Sequence, residues 1–450
     1  MTTTVETVPT HVRIQSPNDR YRGSEPSGPT PLDGRRKRAR LVGALGNGVE
    51  WYDWSIYGLM SPFIATQFFP SSSPLAALLS TFAIFAVGFL ARPIGGYVMI
   101  RFADRRGRRA AMLLSVIVMC AASLGIALCP TTESIGIAAA GILVSCRLIQ
   151  GFSLGGEQPA ALSYLVESAP KRRIGNFLSF YNSSAMLGIL LGSAVGLALI
   201  ELLGKQGMVA FGWRIPFVVG ALLAVVAFFA RRGAPERSVP RDRRCTTPLR
   251  TLAREYRRLC TLIVVCAACS GTLFFATVTA LPAIAAQIGT DGGHATDASA
   301  VALGALIGQS VMIPVFLVAG WCADRFGSAR VLAAGLALTA ILAGPVLWAL
   351  ANDQMSFIAA QSVMSVACAI FLSGVFHTLV PELPVGLRFT GLAVFWLIPA
   401  CVFGGLAPMA MAQLAGHGQF AVFGAFVSAL TALALLTLIW YTQRRSGTRR

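Results

Sequence analysis

The sequence predicts an all-α integral membrane fold with twelve transmembrane helices in two pseudo-symmetric six-helix bundles. Its 450 residues are 55% hydrophobic and only 12% charged, whereas soluble domains carry about 25% charged residues. Twelve apolar runs approach or exceed the length of about 20 residues that a helix needs to cross a bilayer. One charged motif also occurs once in each half of the chain.

The apolar runs alternate with polar loops along the chain. They cover residues 41–69, 74–100, 110–129, 134–157, 174–203, 213–230, 258–289, 298–321, 329–350, 355–378, 389–414 and 419–441. The long polar loop at 231–257 separates two sets of six, so we expect an N-terminal bundle over 41–230 and a C-terminal bundle over 258–441. Residues 1–40 and 442–450 are expected to be cytoplasmic tails, and the first is expected to be disordered because it lacks apolar periodicity.

The basic residues give the chain a net charge of +18, and they lie in the tails and in alternate loops. Such asymmetry places both termini in the cytoplasm. It leaves no basic stripe on a soluble fold, so we do not expect a nucleic-acid partner. The ten cysteines fall mostly in apolar runs, where a free thiol packs as a small hydrophobe. We therefore expect neither disulfides nor a bound metal.

The charged motif links the two halves of the chain. It reads "RFADRRGRR" at 101–109 and "WCADRFGSAR" at 321–330, so Asp104 and Asp324 are 220 residues apart. Each copy follows the second apolar run of its half. One motif at one relative place in two six-span halves indicates an internal repeat, which is typical of transporters with a binding site between the bundles near the midplane.

Ionisable side chains inside the apolar runs are candidates for function, because burying them is costly. Glu50 and Asp53 are three residues apart, so they share one helix face, and Tyr57 follows on it. Two close carboxylates in a low dielectric cannot both stay ionised cheaply, which suits a proton carrier. Alternatively, each acid pairs with a neighbouring helix and only fixes packing.

The expected partner of these acids is Arg147 in the fourth span. An arginine stays protonated, so inside the membrane it requires a carboxylate or an anionic ligand. Gln150, one turn later, could add a hydrogen bond. Arg92, in the second span, is expected to snorkel to the cytoplasmic face. Weaker candidates for substrate contact, most of which could equally serve helix packing, are Tyr57, Asn182, Gln309, Gln361 and Trp396.

Both copies of the charged motif resemble loops of the major facilitator superfamily, which read Gly-x-x-x-Asp-Arg-x-Gly-Arg-Arg. Ile100 replaces the leading glycine of the first copy, and Gly320 keeps it in the second. The resemblance implies that these loops latch helices on the cytoplasmic side. We expect Glu157 to pair with arginines of the first loop, and Glu382 and Arg388 to latch the loop after the tenth span. The other implied latch residues are Asp104, Arg105, Gly107, Arg108, Asp324 and Arg325.

Further segments resemble the metabolite:proton symporters of that superfamily, among them residues 46–58 ("GNGVEWYDWSIYG"), 147–157 ("RLIQGFSLGGE") and 380–391 ("VPELPVGLRFTG"). The resemblance implies a transporter, not an enzyme, that imports a small organic acid or zwitterion with protons across the inner membrane. It would act as a monomer, with the proton as coupling ion and no other cofactor. It also implies that Asp53 faces Arg147 and releases it when protonated.

Two other functions remain possible from the sequence. A proton-driven antiporter that exports a drug or natural product could use the same fold. A sensor or membrane enzyme would need a soluble domain or a catalytic cluster, and neither is visible. The "GFSLG" at 151–155 spells a hydrolase elbow but lies on a membrane helix, whereas that motif needs a strand-turn-helix setting.

Overall fold

A computed structural model describes residues 31–69, 74–106, 108–170, 173–232, 248–288 and 298–447. All regular secondary structure in these residues is helical. In the N-terminal half the α-helices are α1 (Pro31–Leu59), α2 (Ser61–Phe68), α3 (Pro74–Arg106), α4 (Arg108–Ala127), α5 (Thr132–Ile135), α6 (Ala138–Leu154), α7 (Glu157–Ser168), α8 (Ile174–Ala210) and α9 (Ile215–Arg232).

In the C-terminal half two spans change from α-helical to π-helical winding part-way along. The π-helical turns are Ala276–Ala280 in the seventh span and Leu392–Trp396 in the eleventh. The α-helices of this half are α10 (Pro248–Glu255), α11 (Arg257–Phe275), α12 (Leu281–Ile288), α13 (Ala298–Ser310), α14 (Met312–Phe326), α15 (Ser328–Ala351), α16 (Phe357–Glu382), α17 (Val385–Gly391), α18 (Leu397–Gly416) and α19 (Phe420–Gly447).

The predicted all-α membrane fold is confirmed. In the described part of the chain, 11 spans are long and apolar enough to cross a membrane by length and composition. The remaining predicted span, 41–69, forms α1 and α2. Long spans such as α8, which is helical from Ile174 up to a kink at Gly204 (φ 62°), exceed the minimum length and allow tilt or overhang.

Two predicted boundaries need correction. The chain is already helical at Pro31, so the predicted disordered tail over 1–40 ends sooner than expected. The basic residues at 35–40 are good helix formers and can extend a membrane span beyond the bilayer. The predicted linker 231–257 also contains a helix, α10. Leu252 of that helix is fully buried while Arg250 and Arg254 are exposed, so one apolar side chain anchors a segment whose arginines face outward.

Helices α3 and α6 touch through their backbones. A Cβ added at Gly151 would overlap the carbonyl oxygen of Gly88, and one added at Gly155 would overlap that of Arg92. From the other side, a Cβ at Gly95 would overlap the carbonyl oxygen of Phe152. Small residues allow such close helix contact in membranes. The glycines of "GFSLG" therefore serve helix packing.

The two halves meet along several helices. Helix α3 packs on α18, and α8 packs on α13 and α14. Near one end of the bundles, a Cβ at Gly58 would lie 2.5 Å from Cγ2 of Thr279. At the other end, Gly320 of α14 lies against Ser179 of α8. The halves are thus in contact on both sides of the space between them.

Candidate functional site

A cavity lies between the two halves. Both halves contribute to its wall, including residues beside each π-helical turn. The lining residues are Trp51, Phe89, Arg92, Gln158, Tyr181, Asn182, Ala185, Met186, Ser270, Gly271, Phe274, Phe275, Phe316, Leu372, Phe376, Trp396, Leu397, Ala400 and Cys401.

Arg92 lines this cavity, which corrects the expectation that it snorkels to the membrane surface. It is 8% exposed, and its guanidinium carbon lies 4.2 Å from the ring centroid of Trp54 and 4.5 Å from that of Phe89. Its Nε has no hydrogen-bond partner. The charge of Glu50 on α1 interacts with it. A buried cation at a cavity wall is a natural contact for an anionic ligand.

Four predicted substrate contacts divide into two pairs. Asn182 and Trp396 line the cavity, and the side-chain nitrogen of Asn182 is buried without a hydrogen-bond partner. Gln309 and Gln361 do not line it. The amide of Gln309 donates to the carbonyl oxygen of Val278 at 3.1 Å, and that of Gln361 donates to the carbonyl oxygen of Thr277 at 3.0 Å.

The acceptors of these two amides belong to the π-helical turn Ala276–Ala280. A π-helical turn displaces backbone carbonyls from the regular α-helical ladder, and buried carbonyls need donors. Gln309 and Gln361 thus support this turn through their amide nitrogens, and their role as substrate contacts stays a prediction.

Asp53 lies inside the N-terminal bundle at the centre of a hydrogen-bonded network. It is 2% exposed. One carboxylate oxygen accepts a hydrogen bond from the hydroxyl of Ser123, and the other accepts one from Nε2 of Gln150 at 2.8 Å. The same Gln150 nitrogen is 2.8 Å from the Ser123 hydroxyl oxygen. Helices α1, α4 and α6 thus each supply one member of the network.

Gln150 also joins this network to Arg147. Its Oε1 accepts a hydrogen bond of 2.8 Å from an Arg147 terminal nitrogen, while the other two guanidinium nitrogens of Arg147 have no hydrogen-bond partner. The guanidinium carbon lies 4.2 Å from the ring centroid of Trp54 and 4.1 Å from that of Tyr57. Gln150 therefore bridges the predicted pair of Asp53 and Arg147. Tyr57, a predicted substrate contact, packs on Arg147 and does not line the cavity.

Glu50 has different neighbours from Asp53. It borders a separate narrow crevice together with Ser115, Ser153 and Glu157. The hydroxyl of Ser115 donates to a carboxylate oxygen of Glu157 at 3.4 Å. The two acids predicted as one proton-carrying pair therefore sit in different surroundings, Asp53 beside Arg147 and Glu50 closer to Arg92.

The second copy of the repeated motif joins the two halves. The carboxylate of Asp324 on α14 accepts hydrogen bonds from the backbone N–H groups of Gly175 at 2.7 Å and Asn176 at 2.9 Å. Both groups lie in the first turn of α8, where N–H groups lack partners within the helix. Asp324 thus caps a helix of the opposite half, and we call the end of the molecule where it does so the latch side.

The other predicted latch residues vary in what they contact. Arg388 donates to the carbonyl oxygens of Val380 at 2.9 Å and Leu383 at 3.1 Å, so it caps the end of α16. The hydroxyl of Tyr441 donates to Glu382 at 3.3 Å. Arg325 is exposed and lies over neighbouring aromatic rings. In the first copy, Gly107 and the side chains of Asp104, Arg105 and Arg108 lie outside the described residues.

Comparison with known proteins identifies the family. The family model described as Major Facilitator Superfamily matches residues 43–388. The chain belongs to the major facilitator superfamily. It is 34% identical to the alpha-ketoglutarate permease of Escherichia coli K12 over 93% of this chain and 97% of that relative. It is 31% identical to a citrate-proton symporter of Klebsiella pneumoniae, over 92% and 93% of the two chains.

Solved structures of the major facilitator superfamily share the fold. The proton:xylose symporter XylE, bound to 6-bromo-6-deoxy-D-glucose, superimposes with a TM-score of 0.72 at 18% identity, covering 91% of this chain and 96% of that one. A partially occluded inward-open form of XylE from E. coli gives 0.69. As a superfamily member the chain is a multi-pass membrane transporter and not an enzyme, as the sequence predicts.

The position of Arg92 at the cavity wall differs from the membrane-surface position predicted from the sequence. Arg92 lies nine positions before Arg101, where the basic loop begins. At 1.5 Å per residue that is about 13 Å of helix. This distance is a signal in the sequence itself, because it is too great for a side chain to reach the membrane surface without strain.

We expect Asp324→Asn to loosen the latch side. The variant keeps an acceptor oxygen but loses the negative charge that stabilises a helix N-terminus, which costs up to about 1 kcal/mol. The amides of Gly175 and Asn176 should then exchange with deuterium up to about fivefold faster by mass spectrometry. Asp353→Asn, an exposed acid in a loop, is the matched control. Unchanged exchange in peptides that cover Gly175 would contradict the capping role.

Proposed function

We propose that this chain is a proton-coupled symporter that imports a small organic acid or zwitterion by alternating access. The observation that carries the proposal is the buried chain of contacts from Asp53 through Gln150 to Arg147. Its neighbour across the α3–α6 contact is a cavity that carries a second buried arginine, Arg92. A titratable group and an anion-binding group are thus held in one bundle.

Protonation of Asp53 would change this network for a simple reason. Both of its oxygens accept hydrogen bonds from Ser123 and Gln150, an arrangement that suits a carboxylate, which is an acceptor only. A proton on the oxygen that faces Gln150 would meet an amide N–H group, which cannot accept, so that hydrogen bond would turn away; the Ser123 hydroxyl on the other oxygen can reverse and accept. Because Gln150 also holds Arg147, the change would reach that guanidinium. This is the mechanism by which a proton could alter the bundle.

Alternating access requires that the halves separate on one side at a time. The latch side is closed by hydrogen bonds from α8 to Asp324 and by the contact of Gly320 with Ser179. The contact between Gly58 and Thr279 lies on the other side of the cavity. Breaking either set would open the cavity to one side of the membrane, which is consistent with rocking of two rigid bundles.

The names of the relatives support symport of a small metabolite. They are an alpha-ketoglutarate permease, citrate-proton symporters, a shikimate transporter and a proline/betaine transporter, which gives the drug-exporting antiporter no support. We further propose an inner-membrane location with both termini cytoplasmic, following the basic loops. The latch side is then cytoplasmic, the working unit is a monomer without a nucleic-acid partner, and the coupling ion is the proton.

The test is substrate-dependent proton movement. Energy-starved cells that express the protein, placed in weakly buffered medium, should make the medium more alkaline when a transported acid is added. The panel would contain alpha-ketoglutarate, citrate, shikimate and glycine betaine, with cells lacking the protein as control. Accumulation of any of these solutes without proton movement would reject the coupling. Raised tolerance to a toxic compound, without uptake of any acid, would favour the antiporter.

A further inference from the structure

We infer that the central cavity selects an anion with a single carboxylate and an apolar ring as its body, in preference to di- and tricarboxylates. This inference rests on the proposed function, since it names the substrate class of the same site. It depends on three features of the cavity: its charge, its aromatic walls and one unpaired amide.

The charge of the cavity is the first feature. Among the described residues that line it, Arg92 is the only charged side chain. Arg147, the other buried arginine of the bundle, is fully buried under the rings of Trp54 and Tyr57 and does not reach the lining. Arg92 also interacts with Glu50, which lies outside the lining, so it can neutralise at most one carboxylate of a ligand. A second carboxylate would enter a low dielectric without a counter-charge, which is strongly unfavourable.

The Nε atom of Arg92 has no hydrogen-bond partner, while the guanidinium also interacts with Glu50 and with the thiol of Cys401. The rings of Trp54 and Phe89 lie within 4.5 Å of its central carbon, so the planar group is fixed by stacking. A carboxylate fits a guanidinium edge through parallel hydrogen bonds, which a planar fork provides and an ammonium does not. The stacking rings also keep water from the pair.

The walls are the second feature. Trp51 lies with its ring centroid 5.1 Å from that of Phe274 and 6.2 Å from that of Phe275. From the C-terminal half, Phe376 and Trp396 are 4.8 Å apart. Both groups line the cavity, so the body of a bound substrate meets aromatic surface on two sides. Such surface favours a flat apolar ring through offset or edge-on contacts.

Asn182 is the third feature. Its side-chain nitrogen is buried and unpaired, and the residue is only 8% exposed. A buried donor without a partner is costly, so a ligand that brings an oxygen would relieve that cost. The amide is neutral and leaves the charge balance unchanged. A hydroxyl or keto oxygen on the ring, or the carboxylate itself, could accept from it.

A quaternary ammonium zwitterion is the nearest alternative, because aromatic walls also attract cations. The observations favour the anion. The described lining contains no carboxylate to balance a second cation beside Arg92, and the stacked position of Arg92 already occupies the rings of Trp54 and Phe89. Glycine betaine is therefore a competitor to be tested, not the proposed ligand.

The experiment compares matched probes on the purified full-length protein. Benzoate has one carboxylate on a ring, phthalate has two on the same ring, and benzyl alcohol has none. Because Trp51 and Trp396 line the cavity, quenching of tryptophan fluorescence, checked by calorimetry, reports binding. We expect benzoate to bind, phthalate to bind at least about 100-fold more weakly because of its unpaired charge, and benzyl alcohol to show no saturable binding.

Variants locate the site. Arg92→Gln should weaken benzoate binding at least about tenfold, the usual cost of losing a charged hydrogen bond, and Arg92→Lys should recover part of it. Arg101→Gln is the matched control, because Arg101 is exposed and stacks on Tyr97 at 4.8 Å. Thermal unfolding of each variant shows whether it is folded, and Asn182→Ala provides a smaller perturbation of the same wall.

Several results would overturn the inference. Absence of benzoate binding to folded wild-type protein would do so, as would binding of phthalate, citrate, alpha-ketoglutarate or glycine betaine as tight as that of benzoate. Proton-coupled uptake of citrate would then leave the proposed function intact and reject only the substrate class. Benzoate binding that depends on Arg92, in a protein that moves no protons with any solute, would reject the coupling and keep the cavity chemistry.

Discussion

Asp53→Asn is expected to abolish accumulation of substrate while leaving exchange of substrate across the membrane. With one proton per singly charged acid, an imposed pH difference of about one unit drives about tenfold accumulation. The amide cannot take up a proton, so the accumulation ratio should fall to about one in proteoliposomes with an imposed gradient. Exchange of internal for external substrate needs no net proton movement and should persist. Radiolabelled uptake under both conditions measures the two effects.

The matched control is Glu133→Gln, the same change at an exposed position in α5, which should behave as wild type. Full accumulation by Asp53→Asn would reject Asp53 as the proton carrier. Glu50→Gln then becomes informative, because Glu50 lies near Arg92 and shares a crevice with Glu157. Loss of accumulation in that variant alone would move the proton site to Glu50.

Arg147→Gln is expected to lower stability as well as transport. Arg147 is fully buried between the rings of Trp54 and Tyr57, and its charge is balanced only through the network of Asp53. Removing one partner of a buried charged group costs about 3–5 kcal/mol, because the other is left uncompensated. The variant should therefore unfold at a clearly lower temperature in detergent, with little transport activity.

The double variant Asp53→Asn/Arg147→Gln provides the decisive comparison. It removes both charges, so it should regain most of the lost thermal stability while remaining unable to accumulate substrate. Arg101→Gln, which removes an exposed stacked arginine, should change neither property. If the double variant is no more stable than Arg147→Gln, then Asp53 and Arg147 are not energetically coupled, and the bridging role of Gln150 fails with them.

Much of the fold could be predicted from the sequence, because each span is a continuous apolar run and each basic loop marks a span end. The family could be identified from the repeated motif. The sequence also indicated Asp53, Arg147 and Gln150 as neighbours, since a buried arginine requires a partner. Their roles in proton coupling stay predictions.

Other parts of the site could not be predicted. No local signal distinguishes a π-helical turn from an α-helical one in an apolar span. The sequence therefore could not show that the amides of Gln309 and Gln361 donate to the carbonyl oxygens of Val278 and Thr277. Sequence spacing placed Glu50 and Asp53 on one face, but it could not show that the neighbouring helices give them different surroundings. Those surroundings depend on contacts between residues far apart in the chain.

The glycine contacts between α3 and α6 have a mechanical consequence. Arg92 is carried by α3 and Arg147 by α6, and a glycine of α6, Gly155, lies against the carbonyl group of Arg92 itself. Two helices that touch backbone to backbone cannot slide past each other without a clash. If Asp53 carries the proton as proposed, a displacement of its network would move Arg92 and Arg147 together, because the two helices would move as one unit.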